Sequence, residues 1–229
     1  MVESGPVIDF QTVREELQRG NRVLLLVRHA ERPHIDHEDP TFGGSLPITE
    51  NGKRMCEDFG RALKGAADDV QFRASPLRRT VMSARYIAKG MGLESPEIPE
   101  DDAIGNGSAF ITDLKRVWAL FRDRNFFVHM YEYMEQGTAP GFAPNAAAAE
   151  TYERYVLSCF TSQLGIFTTH DVFIAAYLFA KGVKKDWNPD NWPRFLDSAA
   201  ILIEPSGVRR YALLRAGLSD RAIGVDNPA

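Results

Sequence analysis

Apolar positions along the chain alternate between two kinds of pattern. Val23 to Val27 is an unbroken apolar run between polar flanks, and Leu164 to Thr169 is a second short one. Runs of this kind suit strands buried on both faces of a parallel sheet. Val70 to Ala74 alternates in the manner of a strand, and Ala199 to Ile203 and Val208 to Leu214 form two more around a turn at Pro205-Ser206-Gly207. Between them lie helical spacings. Asp9 to Arg19 predicts a short amphipathic helix ended by Gly20. Thr49 is placed to cap a helix carrying Met55, Phe59, Ala62 and Leu63. Ser75-Pro76 predicts a helix start, with serine as cap and proline in the first turn. Leu77, Val81, Ala84, Ile87 and Ala88 form that helix's core stripe, and a helix through Ile174, Ala175 and Leu178 follows His170-Asp171.

From Phe110 to Phe160 the pattern turns aromatic-rich and helical, broken by a loop at Gly137 to Pro144, with Asn145 expected to cap the last helix. Ordinary helical core and a lid over a pocket are both compatible with it. Strands alternating with helices predict an α/β fold, a three-layer α/β/α sandwich around a mainly parallel sheet. A single domain over 1–229 with a helical insertion at 105–162, a candidate lid, fits the 229-residue length.

Composition narrows the classes. Hydrophobic residues make up 44% and charged residues 25%, which excludes a disordered chain and a small disulfide scaffold. The net charge of -4 disfavours a generic nucleic-acid or anionic-membrane binder, so neither partner is expected. Met1 to Gly20 is polar and shows no signal-peptide pattern, and no apolar run approaches a membrane span. Cys56 and Cys159 form no CxxC and read as reduced, buried thiols, which points to a cytoplasmic setting.

The chemistry gathers where three expected strands end: at Arg28-His29-Ala30-Glu31-Arg32, at Ser75-Pro76-Leu77-Arg78-Arg79 and at His170-Asp171. In a parallel sheet these carboxyl ends share one edge, where ligands bind. Arg28, Arg32 and Arg79 would then surround a phosphate, whose oxygens guanidinium groups grip in a planar fork. A histidine among arginines stays neutral, as a nucleophile must. Asp171 could protonate a departing alkoxide, or simply cap its helix. Glu31 reads as a charged loop residue. His34 and His37, with Asp36, Glu38 and Asp39, match no zinc spacing, and no nucleotide-binding glycine motif is present, so no metal and no cofactor are expected.

These strings resemble the histidine phosphatase (phosphoglycerate mutase-like) superfamily. Arg28-His29-Ala30 is similar to its RHG signature, with alanine where glycine is usual. Arg32 and the His170-Asp171 pair resemble the acid-phosphatase branch. Pro47-Ile48-Thr49-Glu50-Asn51-Gly52 and Ser75-Pro76-Leu77-Arg78-Arg79-Thr80 resemble two further motifs, in the expected order. The resemblance implies a metal-independent phosphatase for a small phosphorylated substrate. His29 would become phosphohistidine, Arg28, Arg32, Arg79 and His170 would clamp the phosphate, and Asp171 would be the proton donor. In the mutase-like branch the donor is instead an acid after the S-P-L helix, where Glu97, Glu100, Asp101 and Asp102 stand here. A phosphomutase and a non-catalytic phospho-ligand binder are the alternatives. Substrate identity and oligomeric state are open.

Overall fold

The computed structural model describes residues 5–36, 39, 41, 43–122 and 126–218. Its described elements run β1 (Val7–Ile8), α1 (Phe10–Gln18), β2 (Arg22–Arg28), α2 (Glu50–Leu63), β3 (Val70–Ala74), α3 (Arg78–Met91), a short 3₁₀ turn (Asp102–Ile104), α4 (Leu114–Arg122), α5 (Phe126–Gln136), α6 (Asn145–Cys159), β4 (Leu164–Thr169), α7 (Asp171–Ala180), β5 (Ser198–Ile203) and β6 (Arg209–Leu214). The sheet order is β1-β6-β5-β2-β4-β3. β2, β4 and β3 are mutually parallel, whereas β5 runs antiparallel to both β2 and β6. The sheet is therefore mixed but mainly parallel, as the strand-helix alternation predicts.

The unbroken apolar run of β2 is explained by layers on both sides. Val23, Leu25 and Val27 face a core built with α1, α2 and α3. Leu24 and Leu26 face the opposite core, filled by α7 and by α4 to α6. Helices α2 and α3 meet backbone to backbone at two glycines. A Cβ on Gly60 would stand 2.1 Å from Ile87 O, and one on Gly90 would stand 2.2 Å from Glu57 O. Only residues without a side chain let α3 come this close.

Four local expectations need correction. Ser75 does not cap α3: the cap position is Leu77, with no side-chain hydrogen bond, and Pro76 precedes the helix. The serine hydroxyl faces His170 instead, 3.1 Å from Nε2. Asn145 is a buried first residue of α6 rather than its cap, which is Pro144. Asp171 is likewise inside α7, with His170 at the cap position. Cys56 is buried, but Cys159 is only partly so. Thr49 does cap α2, its Oγ1 accepting from Gly52 N at 2.9 Å. No helix among the described residues is long and apolar enough to cross a membrane.

Candidate active site

Register decides which strand ends meet. Arg28 on β2 pairs with Thr169 on β4, and Ala74 on β3 pairs with Thr168. The next residue along each strand, His29, His170 or Ser75, therefore emerges at one edge. His29 N donates to Thr169 O at 3.0 Å, and Ser75 N donates to Thr168 O at 3.0 Å. The imidazoles of His29 and His170 lie with centroids 5.5 Å apart, inclined by 66°. Both are buried, at 3% and 6% exposure.

The tautomer of His29 follows from its neighbour. Nδ1 lies 2.8 Å from the carbonyl oxygen of Ala30, an acceptor only, so Nδ1 carries the hydrogen and Nε2 keeps its lone pair. Burial is the first cause holding the pKa of His29 well below its usual value. Arg79, His170, Arg28 and Arg32 add repulsion to it. His170 is lowered by burial and then by Arg79, Arg28 and Arg32. All three expected arginines thus act on both rings.

Each arginine is oriented by backbone. Arg28 donates to Pro193 O, lies with its guanidinium carbon 4.4 Å from the Phe195 ring centroid, and pairs Nη2 with Asp171 Oδ2 at 3.1 Å. Arg79 Nη1 donates to Gly43 O at 2.7 Å, while its buried Nε has no hydrogen-bond partner among the described residues. Burial, with Arg32 and Arg28 as like-charged neighbours and Asp171 opposing, brings Arg79 down to about 9. An incoming anion relieves both the repulsion and the unsatisfied donor. Arg32 is half-exposed and donates Nη1 to Pro33 O at 2.8 Å.

Alanine at position 30 is accommodated without strain, because Ser95 and Leu196 are the only described non-glycine residues with positive φ. Ala30 N donates to Ser83 Oγ at 2.9 Å, and that hydroxyl donates to Arg79 O at 2.7 Å, so one serine ties the His29 loop to the Arg79 helix. Glu31 is the loop's other anchor. It accepts from Thr49 Oγ1 at 2.7 Å, and its backbone oxygen accepts from Thr49 N at 2.8 Å.

Of the candidate acids, Asp171 stands nearest the arginines. Its Oδ2 takes Arg28 Nη2 and also accepts from Trp192 Nε1 at 3.1 Å. Asp101 is engaged elsewhere, by Arg73 Nη1 at 2.8 Å and Tyr155 OH at 2.7 Å. Glu97, Glu100 and Asp102 are exposed. Among the described residues no three His, Cys, Asp or Glu side chains gather as a metal site, and His37 lies outside those residues.

Sequence reasoning missed the wall between α7 and β5. Pro193, Phe195 and Trp192 reach Arg28 and Asp171 because β5 is antiparallel to β2, with Ser198 opposite Val27. Its entry segment therefore arrives at the edge where β2 ends. The turn at Pro205-Ser206-Gly207 signals only that β5 and β6 are antiparallel, and the pairing of β5 with β2 has no signal in the local sequence. The Gly43 carbonyl, which accepts from Leu46 N at 3.1 Å as well as from Arg79, was missed too.

Residues 24–103 match the family model described as histidine phosphatase superfamily (branch 1). No curated protein matches the chain significantly. Among solved structures, Bacillus stearothermophilus YhfR aligns with a TM-score of 0.59 at 15% identity, over 86% of this chain and 100% of its own. The phosphoserine phosphatase of Entamoeba histolytica in complex with 3-phosphoglyceric acid aligns at 0.57 and 14% identity, over 86% and 98%. The phosphoglycerate mutase of Bacillus anthracis str. Sterne aligns at 0.55 and 10% identity, over 84% and 93%. Such identities speak for the fold alone. The match is to branch 1, and it does not establish the acid-phosphatase character expected from Arg32 and Asp171. The chain thus carries, over residues 24–103, a segment similar to the histidine phosphatase superfamily (branch 1), within a fold it shares with these solved structures.

Proposed function

We propose that the protein is a metal-independent phosphomonoesterase acting through phosphohistidine on His29. The observation that carries this reading is the tautomer of His29, whose Nε2 lone pair is left available beside His170 and the arginines. In the first step Nε2 attacks phosphorus, an N–P bond forms and the ester P–O bond breaks. Asp171 gives its proton to the departing oxygen. In the second step water attacks the phosphohistidine, Asp171 takes a proton from it, and inorganic phosphate leaves with His29 restored. Arg28, Arg32, Arg79 and His170 hold the phosphoryl oxygens, where guanidinium charge meets the charge spread in the transition state.

The substrate is a small phosphorylated molecule, a reading supported by the phosphoserine phosphatase and phosphoglycerate mutase among the structural relatives. Helices α4 to α6 serve as a cover within a single domain. The ring of Trp192 supports this, lying 5.7 Å from Phe126 and 5.2 Å from Phe127 by centroids. A reducing, cytoplasmic setting suits the two free cysteines.

The test is hydrolysis of an aryl phosphate by wild type and His29→Ala. The wild type should turn over, be inhibited by vanadate and yield a phosphorylated His29 peptide, and the variant should lose at least about 10³ in rate. Undiminished turnover by the variant rejects the mechanism. Isomerised phosphoglycerate without released phosphate would indicate a mutase, and phosphate binding without phosphohistidine a binding protein.

A further inference from the structure

A groove of about 780 Å³ runs along the outer side of α3, lined in part by Arg78, Met82, Arg85, Tyr86 and Lys89. It borders the phosphate site closely, because three of its lining residues are chain neighbours of site residues. Gly44 follows Gly43, whose carbonyl accepts from Arg79; Pro76 follows Ser75, which meets His170; Arg78 precedes Arg79.

Arg78 and Arg85 are two helical turns apart and so share a face of α3. Both are exposed, and neither makes a hydrogen bond or ion pair among the described residues. Other arginines of this acidic chain are engaged: Arg61 with Asp58, Arg73 with Asp101, Arg210 with Glu16. Lys89 is also engaged, by Glu57 at 2.6 Å. Among the described residues Glu100 is the only acid lining the groove. Met82 sits between the two guanidinium positions, at helical spacing from each, and the Tyr86 ring adjoins it. The groove thus sets apolar side chains between two guanidinium groups, one at the end next to the phosphate site and one further along α3.

We infer that the groove is a second subsite, which selects phosphomonoesters carrying another anionic group at the end of an apolar spacer, with Arg85 as the specificity-determining residue. This rests on the phosphatase reading above. Arg79 holds the scissile phosphate and Arg85 lies six residues further along the helix, about 9 Å along its axis and about 120° around it, so the spacer must reach somewhat beyond about 9 Å. A spacer crossing Met82 and Tyr86 would bring the second anion to the Arg85 guanidinium, with Arg78 beside its path.

The experiment uses ω-carboxyalkyl phosphates, whose spacer is graded from shorter to longer than that separation, with bisphosphate and neutral ω-amide counterparts and phenyl phosphate as reference. For wild type, kcat/KM should pass through a maximum with spacer length, carried by KM and absent from the amide series. Arg85→Glu should remove the maximum and raise KM there about tenfold, and Arg85→Lys should restore part of it. Phenyl phosphate should change by less than about twofold in both, since solvent screens a charge that far away. The bisphosphate arm shows whether carboxylate or phosphate is the better second group. A flat length dependence in wild type, or an undisturbed maximum in Arg85→Glu, overturns the inference. Should wild type hydrolyse nothing, the phosphatase reading fails by itself. Calorimetric binding of the same series to His29→Ala, with and without Arg85→Glu, then tests the groove directly: a length maximum lost in the double variant supports it, and none overturns it.

Discussion

Trp192 donates its indole N–H to Asp171 Oδ2 across 3.1 Å, and Arg28 Nη2 meets the same oxygen at 3.1 Å. The carboxylate is thus pinned from two sides, by a strand-end arginine and by a loop indole. The indole is itself wedged against Phe126 and Phe127 of α5 and against Trp187. One buried ring therefore links α5 to Asp171. Trp192→Phe keeps most of the packing and removes the N–H. Its expected effect is a fall in kcat of about tenfold with KM little changed, and a stability loss of about 1 kcal/mol. Steady-state kinetics and urea unfolding check both figures, and an unaltered kcat would uncouple the indole from the acid.

If Asp171 is the proton donor, its removal should matter most when the leaving group is poor. Asp171→Asn should lower kcat/KM for an alkyl phosphate by about 10²–10⁴. The loss for p-nitrophenyl phosphate, whose phenolate departs without a proton, should be much smaller. Asp101→Asn should show no such dependence on leaving group, because the partners of that carboxylate are Arg73 and Tyr155, not the residues around His29. The reverse outcome would transfer the donor role to Asp101.

The two site histidines make stability depend on pH in a defined direction. Burial first, and the arginines after it, hold both folded pKa values below the usual 6.5. Between those depressed values and 6.5 the unfolded chain binds more protons than the folded one, so stability is full above 6.5 and declines as pH falls below it. Each histidine contributes up to about 1.4 kcal/mol per pH unit within that window. Denaturant unfolding at graded pH measures the slope. For the same reason kcat/KM, corrected for substrate ionisation, should pass through 6.5 without a histidine titration.

The crossing of α2 and α3 offers a structural control. Alanine at Gly60 would drive a Cβ to 2.1 Å from Ile87 O, and alanine at Gly90 to 2.2 Å from Glu57 O. Neither contact can be relieved by rotating a side chain, so the helices must separate, at a cost of about 1–3 kcal/mol or more. α3 carries Arg79, so phosphate should also inhibit these variants less strongly. Thermal unfolding and phosphate inhibition constants test the two effects together.

Much of this arrangement can be read without coordinates, and particular residues show where that stops. The run Val23 to Val27 foretells a doubly covered strand, because an unbroken apolar stretch can be buried only between two layers. Arg28, His29, Arg79, His170 and Asp171 stand at strand ends or helix starts that chain-local pattern locates. Ser75 shows the limit: Ser-Pro reads as a helix start, yet its hydroxyl is taken by His170, 95 residues away.

The sequence alone determined the order of the described strands other than β1 (Val7–Ile8) and of the helices between them, the residue types at each strand end, and the resemblance those strings carry, since periodicity and turn chemistry act over a few neighbouring residues. Tertiary structure decided the rest. It set the register that brings residues 29 and 170 ring to ring, the antiparallel return of β5 that delivers Phe195 and Trp192, and the carbonyl of Gly43 that aims Arg79. These depend on buried polar groups finding partners far away in the chain, a condition satisfied only once the whole sheet has closed.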